Sequence, residues 1–147
     1  MPQKNSPIQT KVGFVTGRDA IYLHKINLLS ETEVCIAGEL MGINCSKLGT
    51  DDEVKFSLTF KGMLLFNMCE LDFDDTEYES CFDLIEDSEK LAKLRAVDKA
   101  AFIGKMDRGY DENGQFSDKI YHQHFVLHTY DTVFEIIAQS YNLVIEI

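Results

Sequence analysis

From Val54 to Phe60 the chain reads VKFSLTF, with Val54, Phe56, Leu58 and Phe60 on one parity and Lys55, Ser57 and Thr59 on the other. A period of two with one apolar and one polar set belongs to a half-buried β-strand and leaves a helix no apolar face. Other short β-branched or aromatic segments surround it: KVGFVT, AIYLHKINLL and EVCIAGELMGI before, MLLFNMCELDF after. Gly17-Arg18-Asp19, Ser30-Glu31-Thr32 and Gly62 punctuate them with turn residues, so they read as consecutive antiparallel strands. Both parities of Val34 to Glu39 are mostly apolar, which predicts a central strand.

Downstream, Ser88-Glu89 starts a helical pattern: Ser88 can cap, Glu89 favours the dipole, and Leu91, Leu94, Val97, Ala101 and Phe102 recur at helical spacing. Gly104 is placed to end it. A polar loop from Asp107 closes on the turn dipeptide Asn113-Gly114. KIYHQHFVLHTY, VFEIIA and LVIEI complete the chain as strands. Val133, Ile136, Ile137 and Ser140 also fit a helix, but the β-branched content favours strand.

At 147 residues the chain is the size of one domain, able to bury roughly 68–70% of its unfolded surface. The expected architecture is α+β: a flexible arm over residues 1–10, then a single domain over 11–147. That domain is a predominantly antiparallel sheet of seven or eight strands with one main helix, about residues 88–103, packed on one face. The helix is expected to meet Phe56, Phe60, Leu71 and Phe125.

Charge is concentrated in one place. The chain has 25 acidic and 14 basic residues, and ten of the acids (Glu70, Asp72, Asp74, Asp75, Glu77, Glu79, Asp83, Glu86, Asp87 and Glu89) fall between 70 and 89, where there is no Lys or Arg. The remainder is close to neutral. Glu70, Asp72 and Asp74 share a parity, which would set them on the solvent face of a strand about 7 Å apart. Two carboxylates at that spacing repel by about 0.6 kcal/mol in water, and physiological salt screens much of it. A solvated face, partly neutralised by Lys90, Lys93, Arg95, Lys99 and Lys105, is therefore a sufficient explanation. The rings of Phe73, Tyr78 and Phe82 among the acids supply a second one. Carboxylates and aromatic faces together can receive Lys or Arg side chains. On this reading Asp72, Asp74, Asp75, Glu77, Tyr78 and Glu79 form the contact surface of a non-enzymatic module that engages a basic protein, as inhibitor or immunity-type proteins do.

The rival class is a small metal-dependent hydrolase. His122, His124 and His128 share one parity of their strand, and His122 and His124, about 7 Å apart, could hold a metal with a carboxylate from another strand. Neither H-x-x-x-H with a catalytic Glu nor C-x-x-C accompanies them, and Asp72 to Asp75 and Asp107 to Gly114 both miss the calcium-loop spacing. A third reading is a structural subunit or homo-oligomer held through an open sheet edge.

Cys81 is the one cysteine in a polar neighbourhood, but the surrounding acids disfavour its thiolate. No G-x-S-x-G elbow, phosphate-binding glycine loop or cofactor motif occurs, so no cofactor is expected and no catalytic residue is assigned. Excess negative charge opposes nucleic-acid phosphates and anionic lipid. The first ten residues lack the apolar stretch of a secretory signal, the run Met63 to Phe66 is far short of the ~20 residues of a membrane span, and four scattered cysteines read as reduced thiols. The expected compartment is the cytoplasm.

Overall fold

The computed structural model describes residues 4–48, 52–74, 78–106, 109–110, 116–117 and 122–146. Its architecture is α+β, built mostly from antiparallel strands. The strands form two sheets where sequence reading expected one. A four-stranded sheet has the order β11 (Ser140–Glu146), β4 (Glu53–Lys61), β3 (Glu33–Met41), β2 (Ile21–Ser30). A five-stranded sheet has the order β1 (Lys4–Pro7), β6 (Phe82–Glu86), β9 (Gln123–His128), β10 (Thr132–Ala138), β5 (Leu65–Glu70). A two-residue ladder, β7 (Gly109–Tyr110) with β8 (Phe116–Ser117), flanks the expected Asn113-Gly114 turn, which itself lies outside the described residues.

The period-two reading of β4 holds: Val54, Phe56, Leu58 and Phe60 are all buried. β3 is interior as expected, with Val34, Ile36, Gly38 and Leu40 directed to the core and registered against Phe60, Leu58, Phe56 and Val54. From the facing sheet come Phe82, Phe125, Leu127, Phe134 and Ile136. Phe60 meets Phe125 with ring centroids 5.4 Å apart, and Tyr141 stands edge-on to Phe82 at 5.1 Å, so aromatic side chains tie the two sheets together.

The chain passes between the sheets three times, from β1 to β2, from β4 to β5 and from β10 to β11, and the last two passages meet at one corner. β4 passes to β5 through Gly62, at φ +64, and β10 passes to β11 through Gln139, whose N–H donates to the Lys61 carbonyl at 3.0 Å. A Cβ on Gly62 would lie 2.2 Å from Gln139 Oε1, so a glycine is required where the two crossings meet.

Four local expectations are corrected. KVGFVT is not a strand; its residues form turns and isolated bridges, Thr10 to Gly13 and Val15 to Cys45. Within the expected N-terminal arm, Lys4–Pro7 is β1, hydrogen-bonded to the edge of β6, and Pro7 stands at its last position, where a missing N–H is tolerated. MLLFNMCELDF leaves the strand at Glu70, because Leu71–Phe73 turns as a 3-10 helix. The single helix is two: α1 (Glu89–Val97) and α2 (Lys99–Met106), the second running past Gly104. Asp98 makes the break, with extended backbone at φ −153 and a side chain that accepts the Ala101 N–H at 3.0 Å, as a helix cap does. Of the helical positions expected in the core, Phe102 is buried, Leu91 and Leu94 are half-buried, and Val97 is 83% exposed. α1 itself buries no residue.

β2 is irregular, with register shifts between Leu23 and Lys25 and between Leu28 and Ser30. The first lies opposite Gly38, where an added Cβ would sit 2.0 Å from the Tyr22 carbonyl oxygen. A backbone atom cannot swing aside as a side-chain tip can. Gly38→Ala is therefore expected to destabilise the fold by about 1–3 kcal/mol. A urea denaturation midpoint unchanged from wild type, at equal m-value, would refute that account of the bulge.

Candidate binding cleft and buried histidine row

Because Phe125 and Leu127 must face the partner sheet, alternation sends His124, Val126 and His128 to the outer face of the five-stranded sheet. The same parity rule brings out Asp83 and Ile85 from β6 and Val133, Glu135 and Ile137 from β10. The three histidines share a face, as expected, and each lies under a different cover. His122 packs against Phe102 of α2 at 5.0 Å between ring centroids, His124 lies beneath Ser88 at the start of α1, and His128 lies against Tyr78 at 4.7 Å. The two residues named as metal ligands, His122 and His124, are thus buried under different helices. Among the described residues no group of three or more His, Cys, Asp or Glu side chains has an arrangement that could hold a metal ion.

His124, 1% exposed, is the centre of a polar relay. Its Nδ1 is 2.6 Å from Ser88 Oγ. Its Nε2 is 2.7 Å from Glu135 Oε1, a close contact without the alignment of a hydrogen bond. Lys90 Nζ donates to the other carboxylate oxygen of Glu135 at 2.9 Å. Ser88 also accepts the Leu91 N–H at 3.0 Å, so the helix cap read from sequence is present and is the same hydroxyl that meets the imidazole. His124 and then Lys90 hold the Glu135 carboxyl down to about 2, against the opposing effect of burial. The residue before Ser88, Asp87, has φ +53, a left-handed conformation that costs a non-glycine residue about 1–2 kcal/mol.

A second polar cluster fixes the approach to β6. Asp83, fully buried, accepts the N–H groups of Glu79 at 2.8 Å and Ser80 at 2.9 Å and the Ser80 hydroxyl at 2.7 Å, which satisfies its charge with aligned donors. Tyr78 Oη donates to the Asp74 carboxylate. Burial pushes the His128 imidazole below its ordinary range, while Asp83 and Asp74 pull the other way.

Between these clusters lies a cleft of about 230 Å³. Ile85, Val126 and Val133 form an apolar cluster along it, Asn67, Cys69 and Glu135 line it from β5 and β10, and Phe73, Asp74 and Tyr78 line it from the 71–78 segment. Of the residues named for partner binding, Asp74 and Tyr78 therefore line the cleft. Asp72 is exposed in the 3-10 turn, and Glu79 is exposed with its N–H bound to Asp83. Asp75 and Glu77 lie outside the described residues. The three rings of the acidic run separate: Phe82 belongs to the core, Tyr78 is half-buried, and Phe73 is 82% exposed. Cys81 is buried and its thiol is pushed up to about 12, by burial first and by Asp83 second, so it stays protonated.

Sequence reading named Ser88 only as a cap and did not name Glu135 or Lys90 as site residues. Glu135 did leave a signal, as the single carboxylate inside the apolar segment VFEIIA. No protein-family model, curated protein or solved structure matches the chain.

The low value of Glu135 carries a sign. A carboxyl held at about 2 when folded, against 4.5 ordinarily, contributes stability that is complete above about 4.5 and is lost as pH falls through 2. Glu135→Gln is expected to remove that share of the acid dependence, so its melting temperature should fall less than that of wild type between pH 4.5 and 2. Parallel melting curves for the two proteins across this window would show that the relay does not hold the carboxylate.

Proposed function

We propose that the chain is a protein-binding module in which the segment around Asp72 to Glu79 and the adjoining cleft engage a basic protein partner. The observation that carries the reading is Phe73, a phenylalanine 82% exposed between two aspartates at the wall of a cleft of mixed polar and apolar lining. Leaving that ring in water forgoes roughly 1.5–3 kcal/mol of burial, which a partner surface could recover. Carboxylates on both sides favour a partner with Lys or Arg around an apolar contact, and the net charge of −11 steers such a partner on approach. The cluster on Asp83 supports the reading further, since it anchors the C-terminal side of the segment. Inhibition of a cationic enzyme or toxin is one concrete form this activity takes.

The test replaces Asp72, Asp74, Asp75, Glu77 and Glu79 by Asn or Gln, with Phe73→Ala as a separate variant. A basic protein retained by the native chain should be released by added salt, lost by the five-site variant and weakened at least tenfold by Phe73→Ala. Retention unchanged in both variants would place binding elsewhere and overturn the proposal.

A further inference from the structure

We propose that Ser88 is a nucleophile for acyl transfer, with His124 as its general base and Glu135 as the residue that positions the base. The proposal shares Glu135 and the cleft it lines with the partner surface but uses none of the residues from Asp72 to Glu79, and it does not depend on partner binding. A helix cap accounts for the bond from the Leu91 N–H to Ser88 Oγ and for nothing behind it. It does not explain why the same hydroxyl lies 2.6 Å from a buried imidazole whose far nitrogen meets a carboxylate.

The polarity of the relay follows from the charges. Glu135 is ionised and can only accept, so the Nε2 that faces its Oε1 at 2.7 Å is the nitrogen to carry the ring proton, and as a base the ring then has Nδ1 as its acceptor. Ser88 must then donate its O–H to Nδ1, the direction a general base requires. Lys90 on the other oxygen of Glu135 limits rotation of the carboxylate and so holds the ring in place. One lone pair of Ser88 Oγ accepts the Leu91 N–H, and the second is free to attack. Ser88 is half-buried while His124 is almost wholly buried, which leaves the hydroxyl reachable and the base dry.

The surrounding backbone has the form such a serine needs. β6 ends at Glu86, Asp87 turns the chain at φ +53, and Ser88 stands at the head of α1, a strand-to-helix elbow made without the flanking glycines that a sequence motif would show. First-turn N–H groups of a helix have no acceptor within it, so those of Glu89 and Lys90 are available to an oxyanion beside Ser88. Glu135 also belongs to the cleft over Ile85, Val126 and Val133, which offers apolar surface beside the relay for an acyl chain.

The chemical class is hydrolysis of a carboxylic ester. Ser88 Oγ bonds to the carbonyl carbon as its proton passes to His124 Nδ1. The C–O bond to the alcohol then breaks, and the alcohol leaves with that proton. Water, deprotonated by the same nitrogen, attacks the acyl-serine to release the carboxylic acid and restore Ser88.

The intact protein would be treated with a fluorophosphonate probe and, separately, with p-nitrophenyl butyrate, and the modified residue located by peptide mass spectrometry. Stoichiometric labelling of Ser88, with a matching burst of p-nitrophenolate, is expected. Ser88→Asn keeps a capping side chain and should be folded and unlabelled. His124→Gln should slow labelling about 100-fold or more. Glu135→Gln should slow it less and change the pH profile of the rate, a readout that a purely structural role would not move. Absence of label at Ser88 in the folded wild type, or labelling equally fast in Glu135→Gln and His124→Gln with unchanged circular dichroism, would overturn the assignment.

Discussion

The edge-on and tilted packing of Phe60 and Tyr141 from one sheet against Phe82 and Phe125 from the other fixes the orientation of most other side chains in this protein. Burying rings of this size contributes several kcal/mol, far more than any single polar contact on the periphery. Once Phe82 and Phe125 face inward, a period of two leaves no choice for their neighbours. Asp83 and His124 must face outward, so the chemistry of the outer face is a consequence of the core.

That outward face then has to be made habitable. A buried imidazole or carboxylate without partners would cost more than one ring contact contributes, and Asp83, His124 and His128 each meet specific neighbours there. Asp83 takes three short hydrogen bonds from residues 79 and 80, His124 takes Ser88 and Glu135, and His128 takes the face of Tyr78. α1 illustrates the reverse dependence. It buries no residue of its own, so Ser88 and Lys90 provide its polar attachment to the sheet, alongside the half-buried Leu91 and Leu94.

Alternation was legible wherever one face of a strand met the core, as in β3 and β4, because burial of one parity writes itself directly into residue order. The division into two sheets was not, since it depends on which strands pair, and β6 and β9 are joined across about forty residues. KVGFVT misled because β-branched residues pack equally well in the turns and bridges that hold Val12 and Val15 in the core. Asp98 broke a helix whose apolar spacing ran straight through it, and a capping aspartate between two helices looks, in sequence, like one solvent-facing acid. The relay was hidden for a similar reason: Ser88 and His124 are 36 positions apart, and a serine that caps a helix already has a sufficient explanation. The lone Glu135 in the apolar segment VFEIIA carried the one available signal, and it was passed over in the sequence reading.

The acidic run bears differently on the two nucleophiles it surrounds. A thiol must ionise before it attacks, and both burial and the Asp83 carboxylate oppose that at Cys81, whose thiol lies near 12. A serine attacks as a neutral hydroxyl and passes its proton to a base in the same step, so its requirement is a stabilised imidazolium rather than a stabilised anion on the attacking atom. Negative charge nearby favours the imidazolium, and Glu135 supplies it in direct contact with His124. The field that silences Cys81 is thus compatible with Ser88, provided the developing oxyanion is met by backbone N–H groups. The head of α1 is where such groups lie, seven residues from Cys81 along the chain and at the other end of β6.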